Sequence, residues 1–244
     1  MNREALMRRA LELAARGVGE VEPNPRVGAL VLSGGRAAAE GWHGFWGGPH
    51  AEAAALEEAR RKGIRPDTLV VTLEPCSTWG KTPPCTEAVL RSGVKRVVCG
   101  AVDPNPRHAG RGLRILEEAG IRVEAGILEE ECLRAAGPFT KWLSRERPWL
   151  VGKWAMSLDG KIATREGSSK WITPEPLRAL AHRLRSRVDA VMVGLGTVLA
   201  DDPELTVRLV EGGDPAAVVV DPGLGIPVDR KIVASPRERP RVVL

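Results

Sequence analysis

Apolar residues recur along this chain at two alternating spacings, and the alternation predicts its elements. Leu6, Met7, Ala10, Leu11, Leu13 and Ala14 keep the three-and-four spacing of one helical face. Residues 3–16 are therefore expected to form a helix, with Asn2 as its cap and Gly17 as its stop. Short apolar runs at Val27–Leu32 and near Ala37–Gly41, split by Ser33-Gly34-Gly35, read as a hairpin. His50 opens a helix expected to reach about Lys62, before Gly63. Thr68–Leu73 reads as a buried strand, Thr86–Ser92 as a helix stopped by Gly93, and Lys95–Ala101 as a strand. Leu113–Ala119, Ile121–Ala125 and Leu128–Ala136 continue as helix, strand and helix. This alternation predicts a layered α/β domain with an open sheet.

The pattern restarts after Arg145-Glu146-Arg147-Pro148, which reads as a linker. A strand is expected over Trp149–Met156 and a turn at Ser157-Leu158-Asp159-Gly160. Thr173-Pro174 begins an amphipathic helix over Glu175–Arg187. Asp189–Val193 is a strand running into Gly194-Leu195-Gly196-Thr197, and Ala216–Val220 a strand ending at Asp221-Pro222. Arg241–Leu244 reads as the start of another strand. The expected domains are 1–146 and 147–244.

Candidate chemistry gathers between His50 and Cys85. His50-Ala51-Glu52 stands at one end, Pro75-Cys76 at the other, and Cys85 follows nine residues after Cys76. One imidazole and two thiols are zinc ligands, and three protein ligands leave a fourth tetrahedral position open. Glu52, two residues from the first ligand, is free to shuttle protons. H-x-E followed by P-C-x-x-C is the signature of zinc deaminases, which use the metal to activate water and a glutamate to move protons. Here the second half is P-C-x8-C, so the chemistry matches but not the commonest spacing. A lone cysteine is usually a small hydrophobe, and a lone histidine a hydrogen-bonded core residue. The conjunction of all four residues outweighs those readings. Cys99 and Cys132, inside a strand and a helix, are assigned to packing.

Other candidates surround this set. Two prolines stiffen Glu22-Pro23-Asn24-Pro25-Arg26, which either presents Asn24 and Arg26 to a ligand or merely connects elements. His43, in a glycine-rich loop, either contacts substrate or caps the loop. Trp79 and Lys81, between the two cysteines, are expected to shape the pocket, with Lys81 in reach of a phosphate tail.

Composition narrows the class. The chain has 244 residues, 43% of them hydrophobic, but no run approaches the ~20 apolar residues of a membrane span. The opening Met1-Asn2-Arg3-Glu4 starts an amphipathic segment, not a signal peptide. Four cysteines, two assigned to zinc, suit a reducing cytoplasm rather than a disulfide framework. The net charge of +5 suits an anionic substrate. The basic residues are dispersed with no interleaved aromatics, so nucleic acid is not expected as a partner.

Several motifs taken together resemble the bifunctional riboflavin biosynthesis deaminase-reductases. They are Asn24-Pro25-Arg26-Val27-Gly28, His50-Ala51-Glu52, Leu73-Glu74-Pro75-Cys76-Ser77, Lys81-Thr82-Pro83-Pro84-Cys85 and Asp103-Pro104-Asn105-Pro106. Ser157-Leu158-Asp159-Gly160-Lys161, Ser169-Lys170-Trp171-Ile172-Thr173 and the stretch from Thr197 to Thr206 extend the resemblance over nearly the whole chain. The P-C-x8-C spacing separates that family from cytidine and tRNA adenosine deaminases. The resemblance implies a cytidine-deaminase-like three-layer domain that deaminates 2,5-diamino-6-(5-phosphoribosylamino)pyrimidin-4-one, with Glu52 moving the protons. It also implies a dihydrofolate-reductase-like domain that reduces the ribosyl chain with NADPH. The implied NADPH positions are Ala155, Trp171, Thr197 and Asp201, and the implied substrate positions are Ser169, Leu205 and Arg208. Arg208 has a physical warrant, since a guanidinium holds a phosphate bidentately.

Members of that family continue past the matched stretch with a glycine-rich loop near the cofactor phosphates and an acidic residue near the substrate. Glu211-Gly212-Gly213-Asp214 shares that composition but comes early and leads into a strand. Between Asp221 and Leu244 neither such a turn nor room for its helix is expected. The reductase-like domain is therefore expected to be incomplete, with deamination retained, NADPH held weakly and the ribosyl group not reduced by this chain alone. An open strand edge at Val242-Val243-Leu244 is expected to favour homo-oligomers. Two alternatives stay open: a nucleoside or tRNA base deaminase, and a non-catalytic zinc module that binds RNA or a protein and takes His43 as fourth ligand.

Overall fold

The computed structural model describes residues 2–235 and 238–244, which form two compact units, Met1–Leu150 and Val151–Leu244. Among the described residues, no helix is long and apolar enough to cross a membrane.

Helix α1 (Arg3–Ala14) begins where Asn2 Oδ1 accepts the Ala5 N–H at 3.1 Å, the capping bond expected of an asparagine there. A 3-10 turn, Ala15–Gly17, carries the chain on. Strands β1 (Gly28–Ser33) and β2 (Arg36–Trp42) form the expected hairpin, with Gly34 and Gly35 at positive φ in the turn. Helix α2 (Ala51–Arg61) has His50 as its N-cap residue, so His50 stands just outside the helix and Glu52 in its first turn. Strand β3 (Thr68–Leu73) is buried along its whole length. Helix α3 (Cys85–Ser92), strand β4 (Arg96–Ala101), helix α4 (Arg111–Glu118) and strand β5 (Arg122–Glu124) follow.

The sheet order is β2-β1-β3-β4-β5, antiparallel across β2, β1 and β3 and parallel from β3 to β5. Helix α1 and helix α5 (Glu129–Ala135) pack on one face, and α2 and α3 on the other, so the central strands are covered on both sides. That explains the unbroken apolar runs of β1 and β3. Close approach sets one position: a Cβ on Gly28 would strike the Ala10 carbonyl of α1. The parallel register pairs Leu73 with Ala101. Glu74-Pro75-Cys76 and Val102-Asp103 therefore leave the sheet side by side at its carboxyl edge, where ligands of such sheets bind.

Two features depart from the expectations here. Helix α6 (Gly137–Arg145) occupies a stretch for which no element was expected and ends at the first residue of the expected linker; Pro138 lies in its first turn, where a missing N–H costs nothing. Trp149–Met156 is not a strand. An extended apolar segment becomes a strand only when a neighbouring edge supplies its hydrogen-bond partners, and Trp149 instead lies over Gly137 and the Lys141 ammonium.

In the second unit, helix α7 (Glu175–Arg185) leads to strand β6 (Ala190–Gly194), helix α8 (Leu195–Asp201), strand β7 (Ala216–Val220), helix α9 (Lys231–Ala234) and strand β8 (Arg241–Val243). The three strands are parallel in the order β6-β7-β8. Val198, Leu205, Ala217, Val219 and Ile232 form its small core. Two helices were not expected. Gly194-Leu195-Gly196-Thr197 opens α8 rather than a loop, and the single turn of α9 fits between Asp221 and Leu244, where no helix was expected.

Candidate active site and metal centre

The expected ligands meet at the carboxyl edge of the first sheet. His50 reaches it from the N-cap of α2, Cys76 from the loop after β3, and Cys85 as the first residue of α3. The ligand atoms lie within 4.8 Å of one another. His50 Nδ1 is 3.2 Å from Cys85 Sγ and 3.5 Å from Cys76 Sγ, and the Cys85 N–H points at Cys76 Sγ at 3.3 Å. One borderline nitrogen and two soft sulfurs converging in this way suit zinc.

The two thiols and the imidazole perturb one another. The Cys85 thiol donates towards Cys76, and with the His50 imidazole it brings Cys76 down to about 4. Cys85 is pushed well above its ordinary value, because it holds the shared proton and is also more deeply buried. His50 is raised, first by its hydrogen bond to Cys76. Burial raises the Glu52 carboxyl to about 7, and the neighbouring Cys76 charge adds to the effect.

His50, Glu52 and Cys76 line a cavity of about 280 Å³ together with Asn24, His43, Trp46, Lys81, Asp103, Asn105 and His108, with Cys85 buried behind them. Asn24 and His43 are joined to each other. His43 Nδ1 lies 3.0 Å from the Pro49 carbonyl, which can only accept, so that nitrogen carries the proton. Nε2 is then an acceptor for the Asn24 amide nitrogen at 3.1 Å. Burial lowers the His43 pKa, in keeping with this neutral tautomer. The pairing fixes the Asn24 side chain, leaving its carbonyl oxygen as the free acceptor. Arg26 points elsewhere, pairing with Glu22 at 2.5 Å.

Sequence reasoning missed Glu74 and the loop it holds. The buried Glu74 carboxylate accepts three backbone N–H groups: Asp103 at 3.0 Å, Gly110 at 2.8 Å and Gly112 at 2.7 Å. It thereby ties residues 103–112 to the end of β3 and places Asp103, Asn105 and His108 at the cavity wall. The signal was present in the stiff Asp103-Pro104-Asn105-Pro106 loop beyond a parallel strand. Cys99 and Cys132 are buried among apolar neighbours, as expected, and burial raises the pKa of both.

The second unit brings together fewer of the expected residues. Arg208 donates to Thr206 Oγ1 at 2.6 Å, and its backbone N–H donates to His182 Nδ1 at 3.0 Å. Arg185, which sequence reasoning missed, donates to the Thr206 carbonyl at 2.6 Å. Burial lowers the Arg185 pKa, and the Arg208 and Arg239 charges lower it further. Asp214 partly offsets that charge at Arg185, and Glu204 pairs with Arg208 at 3.4 Å. Leu205 is buried in the core, so its side chain does not present itself to a ligand. Thr197 and Asp201 lie in α8, while Ala155, Ser169 and Trp171 occupy irregular segments. Trp171 stacks on the Arg178 guanidinium, 4.2 Å from its ring centroid. Among the described residues, no hydrogen bond joins Ala155, Ser169, Trp171, Thr197 and Asp201 to one another.

Comparison with known proteins agrees with this geometry. Residues 1–101 match the cytidine and deoxycytidylate deaminase zinc-binding region, and residues 148–244 match the RibD C-terminal domain. The chain is 46% identical over 239 residues to the riboflavin biosynthesis protein RibD of Aquifex aeolicus, covering 98% of this chain and 67% of that protein. It is 42% identical to RibD of Actinobacillus pleuropneumoniae, covering 97% of this chain and 63% of that protein. Among solved structures, it is similar to a diaminohydroxyphosphoribosylaminopyrimidine deaminase/5-amino-6-(5-phosphoribosylamino)uracil reductase from Thermotoga maritima. That match has a TM-score of 0.88 and 47% identity, and covers 99% of this chain and 69% of the other. The chain thus spans roughly two thirds of the length of these relatives.

Proposed function

This chain belongs to the RibD family of riboflavin biosynthesis proteins, and we propose that its first unit is a zinc-dependent pyrimidine deaminase in that biosynthesis. The substrate in this reading is 2,5-diamino-6-(5-phosphoribosylamino)pyrimidin-4-one. The observation that carries it is the convergence of His50, Cys76 and Cys85 at a cavity whose wall also holds the buried Glu52 carboxyl. His50, Cys76 and Cys85 would hold the zinc, which supplies Lewis acidity at the cavity when bound.

The remaining roles belong to the chain's own side chains. Glu52, buried beside the ligands, takes a proton from the attacking water and returns it to the departing amine. Asn24, held by His43, offers its amide oxygen to a donor on the substrate. Lys81, at the cavity mouth, meets the phosphate. The three protein ligands and the buried glutamate favour this reading over a non-catalytic zinc module, in which Glu52 has no task. His43 is already engaged by Asn24 and Pro49, which argues against its service as a fourth ligand.

For the second unit we propose NADPH-dependent reduction of the ribosyl chain. The β6–α8 turn presents backbone N–H groups at a helix start, next to Thr197, and such donors suit a dinucleotide phosphate. Arg208 and Arg185 would take the substrate phosphate. A cytoplasmic location is part of the same reading, since all four cysteines are free thiols.

The test is ammonia release from the diaminopyrimidine ribotide, with cytidine in parallel. Glu52→Gln should retain zinc and lose roughly 10² to 10⁴ in rate. Loss of zinc from that variant would make Glu52 a ligand, and equal turnover of cytidine would favour a nucleoside deaminase. Calorimetric titration of NADPH, followed by single-turnover reduction of the deaminated product, tests the second unit.

A further inference from the structure

Two loops bound the mouth of the cavity, and they differ in how firmly they are held. Residues 43–49 are tied to the body of the unit. The Trp46 N–H donates to the Glu20 carbonyl at 2.8 Å, and the His43 N–H to the Val27 carbonyl at 3.0 Å. Residues 77–84, strung between Cys76 and Cys85, carry the exposed Trp79, Gly80 and Lys81. Lys81 reaches across the gap: its Nζ lies 3.2 Å from the centroid of the Trp46 ring. The backbone at Gly47 leaves room for the stem. A Cβ there would stand 3.6 Å from Lys81 Cδ, and its φ of +83° favours glycine. Both Trp46 and Lys81 line the cavity.

A lysine ammonium on a four-carbon stem samples many positions and is strongly hydrated. A Trp face attracts it through the ring quadrupole and narrows that range. The contact leaves N–H groups of the ammonium turned away from the ring and available to an anion. We propose that Trp46 is a positioning residue: its indole face holds the Lys81 ammonium at the cavity mouth, where the phosphate monoester of the substrate meets a charge already in place. The inference rests on the reading above that the substrate carries a phosphate. It adds a determinant for that group outside the metal ligands and their glutamate.

The first measurement does not depend on activity. In the zinc-loaded full chain with labelled lysine, the Lys81 side-chain methylene protons should be shifted upfield by the Trp46 ring current. The shift should be lost in Trp46→Leu and kept in Trp46→Phe. Ordinary lysine shifts in the unsubstituted chain would overturn the proposal. The second measurement is kinetic. An exposed cation–π contact corresponds to about a two- to fivefold change in an equilibrium constant. Trp46→Leu should raise KM for the ribotide by about that factor, with little change in kcat and a smaller effect on the dephosphorylated analogue. Trp46→Phe should restore most of the loss. In a Lys81→Ala background, Trp46→Leu should add nothing, whereas an equal rise there would mean that Trp46 acts without Lys81 and would refute the assignment. If the unsubstituted chain does not deaminate the ribotide, the substrate reading fails on its own. The positioning role is then decided by titrating inorganic phosphate against the Lys81 resonance. Weaker binding in Trp46→Leu supports it, and no response to phosphate, or identical binding in the two chains, overturns it.

Discussion

Glu74→Gln isolates how one buried carboxylate builds the wall of the site. Glu74 accepts N–H bonds from Asp103 and Gly110 at one oxygen and from Gly112 at the other. The glutamine keeps one oxygen. If that oxygen faces Asp103 and Gly110, the new amide nitrogen faces the Gly112 N–H, donor against donor, in a gap of 2.7 Å. One charge-assisted bond, worth ~1.5–3 kcal/mol, is lost, and the two that remain become neutral. The negative charge at the start of α4 also goes, removing roughly 0.3–1 kcal/mol of favourable dipole interaction. Gly112 has little room to retreat, because a Cβ there would already press on the Pro75 carbonyl. The expected loss is ~2–4 kcal/mol, or about 5–15 °C in the melting temperature of a unit this size. Urea unfolding followed by circular dichroism reads it directly, with an unchanged m-value showing that the native state is intact. Glu57→Gln, which removes an exposed pair with Arg60, is the control and should change stability by less than ~0.5 kcal/mol. If the two variants lost the same amount, the three bonds to Glu74 would not hold the loop, and the account of how Asp103, Asn105 and His108 reach the cavity would fail.

Cys85→Ala should lose zinc, measured as the metal-to-protein ratio after gel filtration; full retention would break the long-loop ligand pattern. Gly28→Ala should cost ~1–3 kcal/mol by overpacking against the Ala10 carbonyl, and an unchanged unfolding midpoint would show that α1 can shift without penalty. Asp103→Asn should make stability less pH-dependent. Burial raises the folded pKa of Asp103 above its ordinary value of 3.8. The carboxyl is therefore neutral in both states below that value, and the native state loses stability as pH rises through the raised one. The variant should gain on the parent near neutral pH and match it in acid, and a parallel offset at every pH would assign the effect to packing.

Local signals carried much of the fold. The limits of β3 and β7 follow from apolar runs bounded by turn residues, and Asn2 marks the start of α1 through a bond within its own first turn. Where local signals conflict with context, they mislead. Trp149–Met156 has strand composition but no ladder. The donor set of the site was also legible, because His50, Glu52, Cys76 and Cys85 carry their chemistry in residue type and spacing.

By itself, then, the sequence determined the residue types of the candidate site, which elements present them, and the layered class of the first unit. Elements and residue types are read from short stretches such as His50-Ala51-Glu52 and Pro75-Cys76, whose local placement is set by backbone geometry. Tertiary structure alone decided that His50 and the two thiols converge, how Asn24 is oriented by His43, that Glu74 holds Gly110 and Gly112, and that Lys81 rests on Trp46. Those partners lie far apart in the chain. They meet because the register that sets Leu73 beside Ala101 brings separate loops to one sheet edge, and because burial there changes the charges the groups carry.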